Sequence, residues 1–444
     1  MASFCGSDLS SGRVPIRLPR PVLENSGRVT HKCLVRPMIV RKSLDDRFTW
    51  LTGRKAQDFV LRTKLFEFNL RTTDDVILRD SMGNEGFPLI VLRDEEVLVN
   101  FDIHATQSFE WKDSKRPIYT YIPGFNIQTV PPVVRRPLSN FIQARCSSGN
   151  AGGIEQYLQL PLTNFEFVVL LCNLILTANE EEPTPAFQWP DGKRAVFVPF
   201  HDVDTGGFLK RGERDPLFLV EQKHRIRSTW FVPTAFLGET KERVAFLLKL
   251  GNEVGWHGHN HDHRLPFSPF AEQRVNILKN SWLCESDNYP AGMRTPKLLK
   301  SNHLFDLLDR NCSRLLYDTS FLQGIVPYDL CTNGRKTKIL EIPITVPTDI
   351  VVWNALAGIP SARRAEKVLE AQISRTKKLI EVGGVISIVT HPERELSERP
   401  ELLNVYDQYL SYIKSRPEVG IMTGGELFKY WSKDRTQADS PVLG

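Results

Sequence analysis

Two uninterrupted apolar runs, AVFVPF at 195–200 and VISIV at 385–389, read as strands buried on both faces, because a strand with one wet face alternates apolar and polar residues. Between them short strand-like and helical segments take turns. RSTWFVP is followed by the amphipathic TKERVAFLLKLG, which ends in a glycine suited to a helix C-terminus. NEVGWHGH, SRLLYDTSF and KILEIPITV read as further strands, FAEQRVNILKNSWLCES (270–286) and 361–382 as helices. Strands alternating with helices predict a parallel α/β domain, barrel-like or doubly wound.

The first part of the chain has a different texture. Residues 1–30, rich in Ser, Gly, Pro and Arg, predict a loosely held tail, and 31–185 a smaller N-terminal accessory domain containing strands such as FPLIVL and VLVNF. Within it FEFVVLLCNLIL (165–176) is too short to cross a membrane, which takes about twenty apolar residues. Thr163 with Glu166 three positions on forms a capping box, so this run predicts a buried helix. The acidic, Pro-rich NEEEPTPAFQWPDGKR (179–194) sets the domain boundary, with the second domain over 186–435. A net charge of +5 is mild, and no aromatic-interleaved basic motif points to nucleic acid. Seven scattered cysteines with no CxxC pair suit free thiols in a reducing compartment, and the N-terminus lacks the apolar core of a secretory signal. These features together predict a cytoplasmic protein with no transmembrane segment.

In parallel α/β folds chemistry gathers at the carboxyl ends of the strands. Here the polar clusters fall at those ends: HDVD (201–204), the histidine run, MRTP (293–296), YDTS (317–320) and THPE (390–393). Four of the ten histidines lie within EVGWHGHNHDHR (253–264). His257 and His261 are four apart, so on a helical turn they share one face and can share a metal, while His259 points elsewhere. A carboxylate from another strand end would complete a His₂Asp site with open positions, the arrangement of a catalytic rather than a structural metal.

These residues resemble the polysaccharide deacetylases of the NodB-homology type, similar to carbohydrate esterase family 4, over roughly 190–430. HDVD resembles that family's first motif, with one residue between the aspartates, and EVGWHGHNH its histidine-pair motif. GMRTP resembles its arginine motif, VISIVTHPE its last motif, and RSTWFVP its second core strand. The resemblance implies a distorted parallel (β/α) barrel. It makes Asp202 the catalytic base, and Asp204, His257 and His261 the metal ligands. Arg294 orients the base and His391 protonates the leaving group. The ion is zinc first, with nickel, cobalt or iron as alternatives. Departures are Val203 between the aspartates, Lys297 where an aromatic is common, and a long separation of Asp318 from His391 that implies an insertion around 320–360. VNFDIHATQSF (99–109) is weakly similar to accessory regions of some relatives.

The expected chemistry is metal-dependent removal of an N-acetyl group from an N-acetylated sugar or polysaccharide precursor. Asp202 would take the proton of water. The ion and a backbone N–H near Pro296–Lys297 would hold the oxyanion. Asp318 or Asp349 would orient His391, and His201 either lines the site or packs. Hydrolysis of cyclic imides or other small amides is the enzymatic alternative, and an inactive carbohydrate-binding protein the alternative of another class.

Overall fold

A computed structural model describes residues 189–236, 241–269 and 292–438 apart from single positions. Before them it describes 111–122, 159–176 and short stretches between 32 and 99. The tail at 1–30, the 99–109 motif beyond Val99 and most of the helix expected over 270–286 lie outside the described residues.

Strands β1 (Lys32–Leu34), β2 (Ile39–Val40) and β3 (Arg62–Lys64) precede β4 (Asp75–Arg79), β5 (Pro88–Arg93) and β6 (Glu96–Val99). β1 pairs with β3, and β2-β4-β5-β6 form an antiparallel sheet that contains both runs read as strands. Helix α1 (Asn164–Leu176) follows, and its capping box is formed. The Thr163 N–H donates to Glu166 Oε2 at 2.8 Å, and the Glu166 N–H donates to Thr163 Oγ1 at 3.2 Å. The other oxygen, Oε1, accepts from the N–H groups of Ile325 (2.7 Å) and Val326 (2.9 Å), so this carboxylate caps a helix and pins a distant loop. The apolar core runs across the Pro-rich stretch at 179–194. Phe48, Leu78, Ile90 and Phe167 share one buried cluster with Val196, Val385 and Tyr409.

The larger sheet is built from β7 (Ala195–Asp202), β8 (Thr229–Val232), β9 (Glu253–Trp256), β10 (Gly292–Met293), β11 (Tyr317–Asp318), β12 (Tyr328–Thr332), β13 (Arg335–Glu341), β14 (Val385–Thr390) and β15 (Val419–Ile421). Its order is β12-β13-β11-β10-β9-β8-β7-β14, with β15 also on β7, and all pairs are parallel except β12 with β13. Every residue of β7 and β14 is buried, as their unbroken apolar runs require. The sheet curls into a half-barrel, the distorted (β/α) barrel the resemblance implies. Beyond β13 the chain reaches β14 without forming a strand. The Val346 N–H donates to the Ser387 carbonyl (3.0 Å) and Thr345 Oγ1 to the Val385 carbonyl (2.6 Å), so the curl is closed irregularly.

Helices cover the outside: α2 (Pro216–His224), α3 (Lys241–Lys249), α4 (Asn302–Asn311), α5 (Asp349–Ala355), α6 (Ser361–Val382), α7 (Pro400–Lys414) and α8 (Gly424–Ala438). Their starts are set by short polar side chains accepting from orphan N–H groups: Asp215 for α2, Ser301 for α4, Thr348 for α5. Helix α6 spans the 361–382 stretch read from the sequence and stops at Gly383, which is left-handed (φ 81°). The stretch around 320–360, where an insertion was expected, holds the antiparallel β12–β13 hairpin and α5. Inside the curl glycine is required at position 292, where a Cβ would lie 2.1 Å from the Tyr317 ring.

Candidate active site

The strands deliver their polar ends to one rim. Asp202 closes β7, His257 follows β9, Arg294 follows β10, Asp318 closes β11 and His391 follows β14. Arg294 is fully buried, its guanidinium 4.8 Å from the ring centroids of both Phe200 and Phe231. Nη1 donates to Asp202 Oδ1 at 2.9 Å, while Nε and Nη2 donate to the carbonyl and hydroxyl of Thr319. The fork therefore has one orientation, and Asp202 is held by it, as the sequence expected of this pair.

Asp204, His257 and His261 converge, their ligand atoms all within 4.8 Å of one another. Asp204 Oδ1 lies 2.8 Å from His261 Nε2 and 3.4 Å from His257 Nε2. The histidines do not meet on a helical turn, which corrects that part of the sequence reading. Gly258 (φ 72°) and His261 (φ 54°) are left-handed, and the loop folds back to bring the rings to a centroid distance of 4.9 Å. A Cβ at Gly258 would crowd Pro296 at 3.1 Å, so this glycine also lets the histidine loop lie on the RTP turn.

The donor set fits a divalent ion. His257 Nδ1–H donates to the Arg294 carbonyl at 2.9 Å, which turns Nε2 toward Asp204. Nε2 is buried with no hydrogen-bond partner among the described residues. Without a cation the electrostatics substitute a proton. Burial opposes charge on His257, but Asp202, Asp204 and the Arg294 carbonyl outweigh it and raise its pKa. Burial likewise opposes charge on Asp204, yet His261 and His257 hold its carboxyl well below the usual range. A buried His₂Asp cluster that attracts a proton this way can exchange it for a metal ion.

The other histidines separate. His259 turns to Thr234, with Nδ1 2.9 Å from Oγ1, away from the cluster. His201 packs rather than lining the site. It is fully buried, stacked on Trp230 at 3.9 Å, and hydrogen-bonded to Glu221 and Thr390. His391 Nδ1 is buried and has no partner among the described residues. Its N–H donates to Ser397 Oγ at 3.0 Å, and the same serine faces Asp349. Burial raises the Asp349 pKa, while Ser397 and the nearby His391 lower it, which places Asp349 in the field of His391. Asp318 is engaged elsewhere: it accepts from the N–H and hydroxyl of Ser320 and is paired with Glu341. Of the two aspartates left open by the sequence, Asp349 lies in the electrostatic field of His391, whereas Asp318 accepts from Ser320.

Sequence reasoning gave no role to Glu393, although THPE contains it. Both carboxylate oxygens accept from Thr205, and burial plus the nearby Asp204 push its pKa up to about 7. Thr319 and Ser320 were likewise unassigned. Ser320 Oγ accepts from the Thr295 N–H at 2.9 Å, so YDTS braces the RTP turn.

No protein-family model matches this chain. A peptidoglycan deacetylase of Helicobacter pylori is 22% identical over 258 residues, 51% of this chain and 86% of that protein. Among solved structures, a candidate polysaccharide deacetylase from Mycobacterium smegmatis is 20% identical with a TM-score of 0.46, covering 58% of this chain and 95% of its own. The Puue allantoinase is 17% identical with a TM-score of 0.48, covering 57% and 95%.

Proposed function

We propose that this chain, a relative of the polysaccharide deacetylases, hydrolyses a carbon–nitrogen bond, and specifically removes an N-acetyl group from an N-acetylated sugar or polysaccharide precursor. The observation that carries the reading is the convergence of Asp204, His257 and His261 beside the Arg294–Asp202 pair. Asp204, His257 and His261 would hold one divalent ion, zinc first, which when bound supplies Lewis acidity and lowers the pKa of water.

The chain's own residues supply the proton transfers. Asp202 accepts the proton of the attacking water, with its free oxygen aimed by the Arg294 bond to the other. His391 gives a proton to the departing nitrogen, which leaves poorly without one. Ser397 accepts from the His391 backbone N–H, and Asp349, which lies in the electrostatic field of His391, would be the group that orients its ring.

The deciding experiment is acetate release from a panel of N-acetylated sugars, with hydantoin-like imides run alongside, each with and without a chelator. Chelator-sensitive acetate release is expected. Turnover of imides alone would replace the substrate class. Turnover of neither, in a protein that binds zinc, would favour an inactive carbohydrate-binding protein.

A further inference from the structure

The described stretch 111–122 comes from the N-terminal region, far from the site in sequence, yet it is fastened along the rim of the barrel. Trp111 Nε1 donates to the Cys331 carbonyl at 2.8 Å, and its ring packs edge-on against Phe305 (5.6 Å) and Phe321 (5.2 Å). Asp113 Oδ1 accepts from the Asn302 N–H at 2.8 Å. The Ser114 N–H donates to the Lys300 carbonyl (2.8 Å), and the Lys300 N–H donates back to Ser114 Oγ (3.0 Å). Further along, Arg264 Nη2 donates to the Ile122 carbonyl. These anchors, on three separate barrel segments, fix where Tyr119 stands.

Tyr119 is buried, and its hydroxyl lies 2.6 Å from His263 Nδ1. Burial pushes the Tyr119 pKa up to about 12, so the phenol keeps its proton. His263, also buried, packs edge-on against His261 with centroids 4.9 Å apart and planes at 68°. His261 (φ 54°) and His263 (φ 64°) are both left-handed, a backbone state that a side-chain-bearing residue keeps only when its surroundings hold it. The loop's own backbone does not favour the orientation that aims His261 at Asp204. The side chains packed behind it do.

We propose that Tyr119 and His263 are positioning residues for His261, so that the 111–122 stretch of the N-terminal region is a working part of the metal site. This inference rests on the assignment of Asp204, His257 and His261 as ligands. Neither positioning residue is a ligand itself. Tyr119 holds the His263 ring, and that ring limits the rotation of the His261 imidazole. Removing such outer support typically weakens metal affinity by about 10–100-fold while leaving the ligands in place.

The test is the zinc dissociation constant of the full chain, read by competition with a chromophoric chelator, for wild type, Tyr119→Phe, His263→Gln, the double variant and His261→Ala. Tyr121→Phe, in the same stretch but with an exposed side chain, is the control. Tyr119→Phe and His263→Gln should each bind zinc about 10–100-fold more weakly, and Tyr121→Phe as wild type. Because Tyr119 acts through His263, the double variant should be no weaker than His263→Gln alone. Cobalt-loaded Tyr119→Phe at saturation should show a d–d absorption band altered from wild type, reporting a shifted His261. A Tyr119→Phe constant within threefold of wild type overturns the proposal, as does full additivity in the double variant. A wild-type chain that binds no zinc, or a His261→Ala chain that binds it undiminished, overturns the underlying ligand assignment instead. A variant that loses its cooperative thermal unfolding is replaced in the comparison by its partner, since either single variant decides the question.

Discussion

Two sets of acids stand at strand ends of the same half-barrel and have opposite electrostatic fates. Asp202 and Asp204, at and just beyond the end of β7, face cations: the Arg294 guanidinium for one, His257 and His261 for the other. Asp318 and Glu341, at the ends of β11 and β13, are register partners in adjacent parallel strands and face each other. Burial and the Asp318 charge raise the Glu341 pKa well above the ordinary range. Burial raises Asp318 as well, with Ser320, Glu341 and the nearby Lys300 opposing it. In the first set the Asp204 carboxyl is held well below the usual range by its histidine neighbours, which suits it to an ion. In the second both carboxyls are pushed up by burial, and Asp318 braces Ser320 and through it the RTP turn. A buried strand-end carboxylate does chemistry only where fixed cations pay its desolvation.

The largest expected effect follows from the first set. Zinc retained after purification should fall from about one ion per chain to near zero in His261→Ala and in Asp204→Ala. Equal metal content by elemental analysis in wild type and either variant would undo the ligand assignment. Asp202→Asn should come next, lowering turnover by about 10²–10⁴-fold while zinc is retained, with the acidic limb of the pH–rate profile gone. Loss of zinc in that variant would move Asp202 from base to ligand.

His391→Ala should show a contrast rather than a simple loss. Amide hydrolysis should drop by about 10²–10⁴-fold, whereas an activated ester, whose alcohol leaves without a proton, should be partly spared. Equal slowing of both would mean that His391 is not the acid.

The smallest effect belongs to the second set, and its sign separates the two. Glu341 has a folded-state pKa above its unfolded one. Its contribution to stability is complete below the ordinary glutamate value and is lost as pH rises toward the folded pKa. Glu341→Gln removes that titration. The variant should therefore lose less stability than wild type as pH rises above about 4.3, by at most about 1.4 kcal/mol per pH unit. Urea unfolding at several pH values reads the difference, and parallel curves would contradict the raised Glu341 pKa. Asp204 should behave oppositely in metal-free protein. Its depressed pKa makes its contribution present above the ordinary aspartate value and lost on acidification.

Much of this was legible in the residues alone. The unbroken apolar runs of β7 and β14 demanded two-sided burial, and the alternation between them demanded a parallel α/β sheet. The Thr163–Glu166 box and the 361–382 helix are local patterns with local causes, and both formed as read. Spacing nominated His257 and His261, and the resemblance of the motifs to a known family nominated Asp202, Asp204, Arg294 and His391. Tertiary structure alone decided what depends on neighbours distant in sequence. The histidine loop turns through left-handed Gly258 and His261, with Gly258 close against Pro296, and spacing could not distinguish that from a helical turn. Asp318 and Asp349 were equivalent candidates until the fold set one beside Glu341 and the other in the electrostatic field of His391. Tyr119 carried no signal at all, since its partner is 144 positions away. Periodicity and capping act over a few residues and are written in the chain, whereas charge state and orientation in a buried site are set by whatever the fold packs against it.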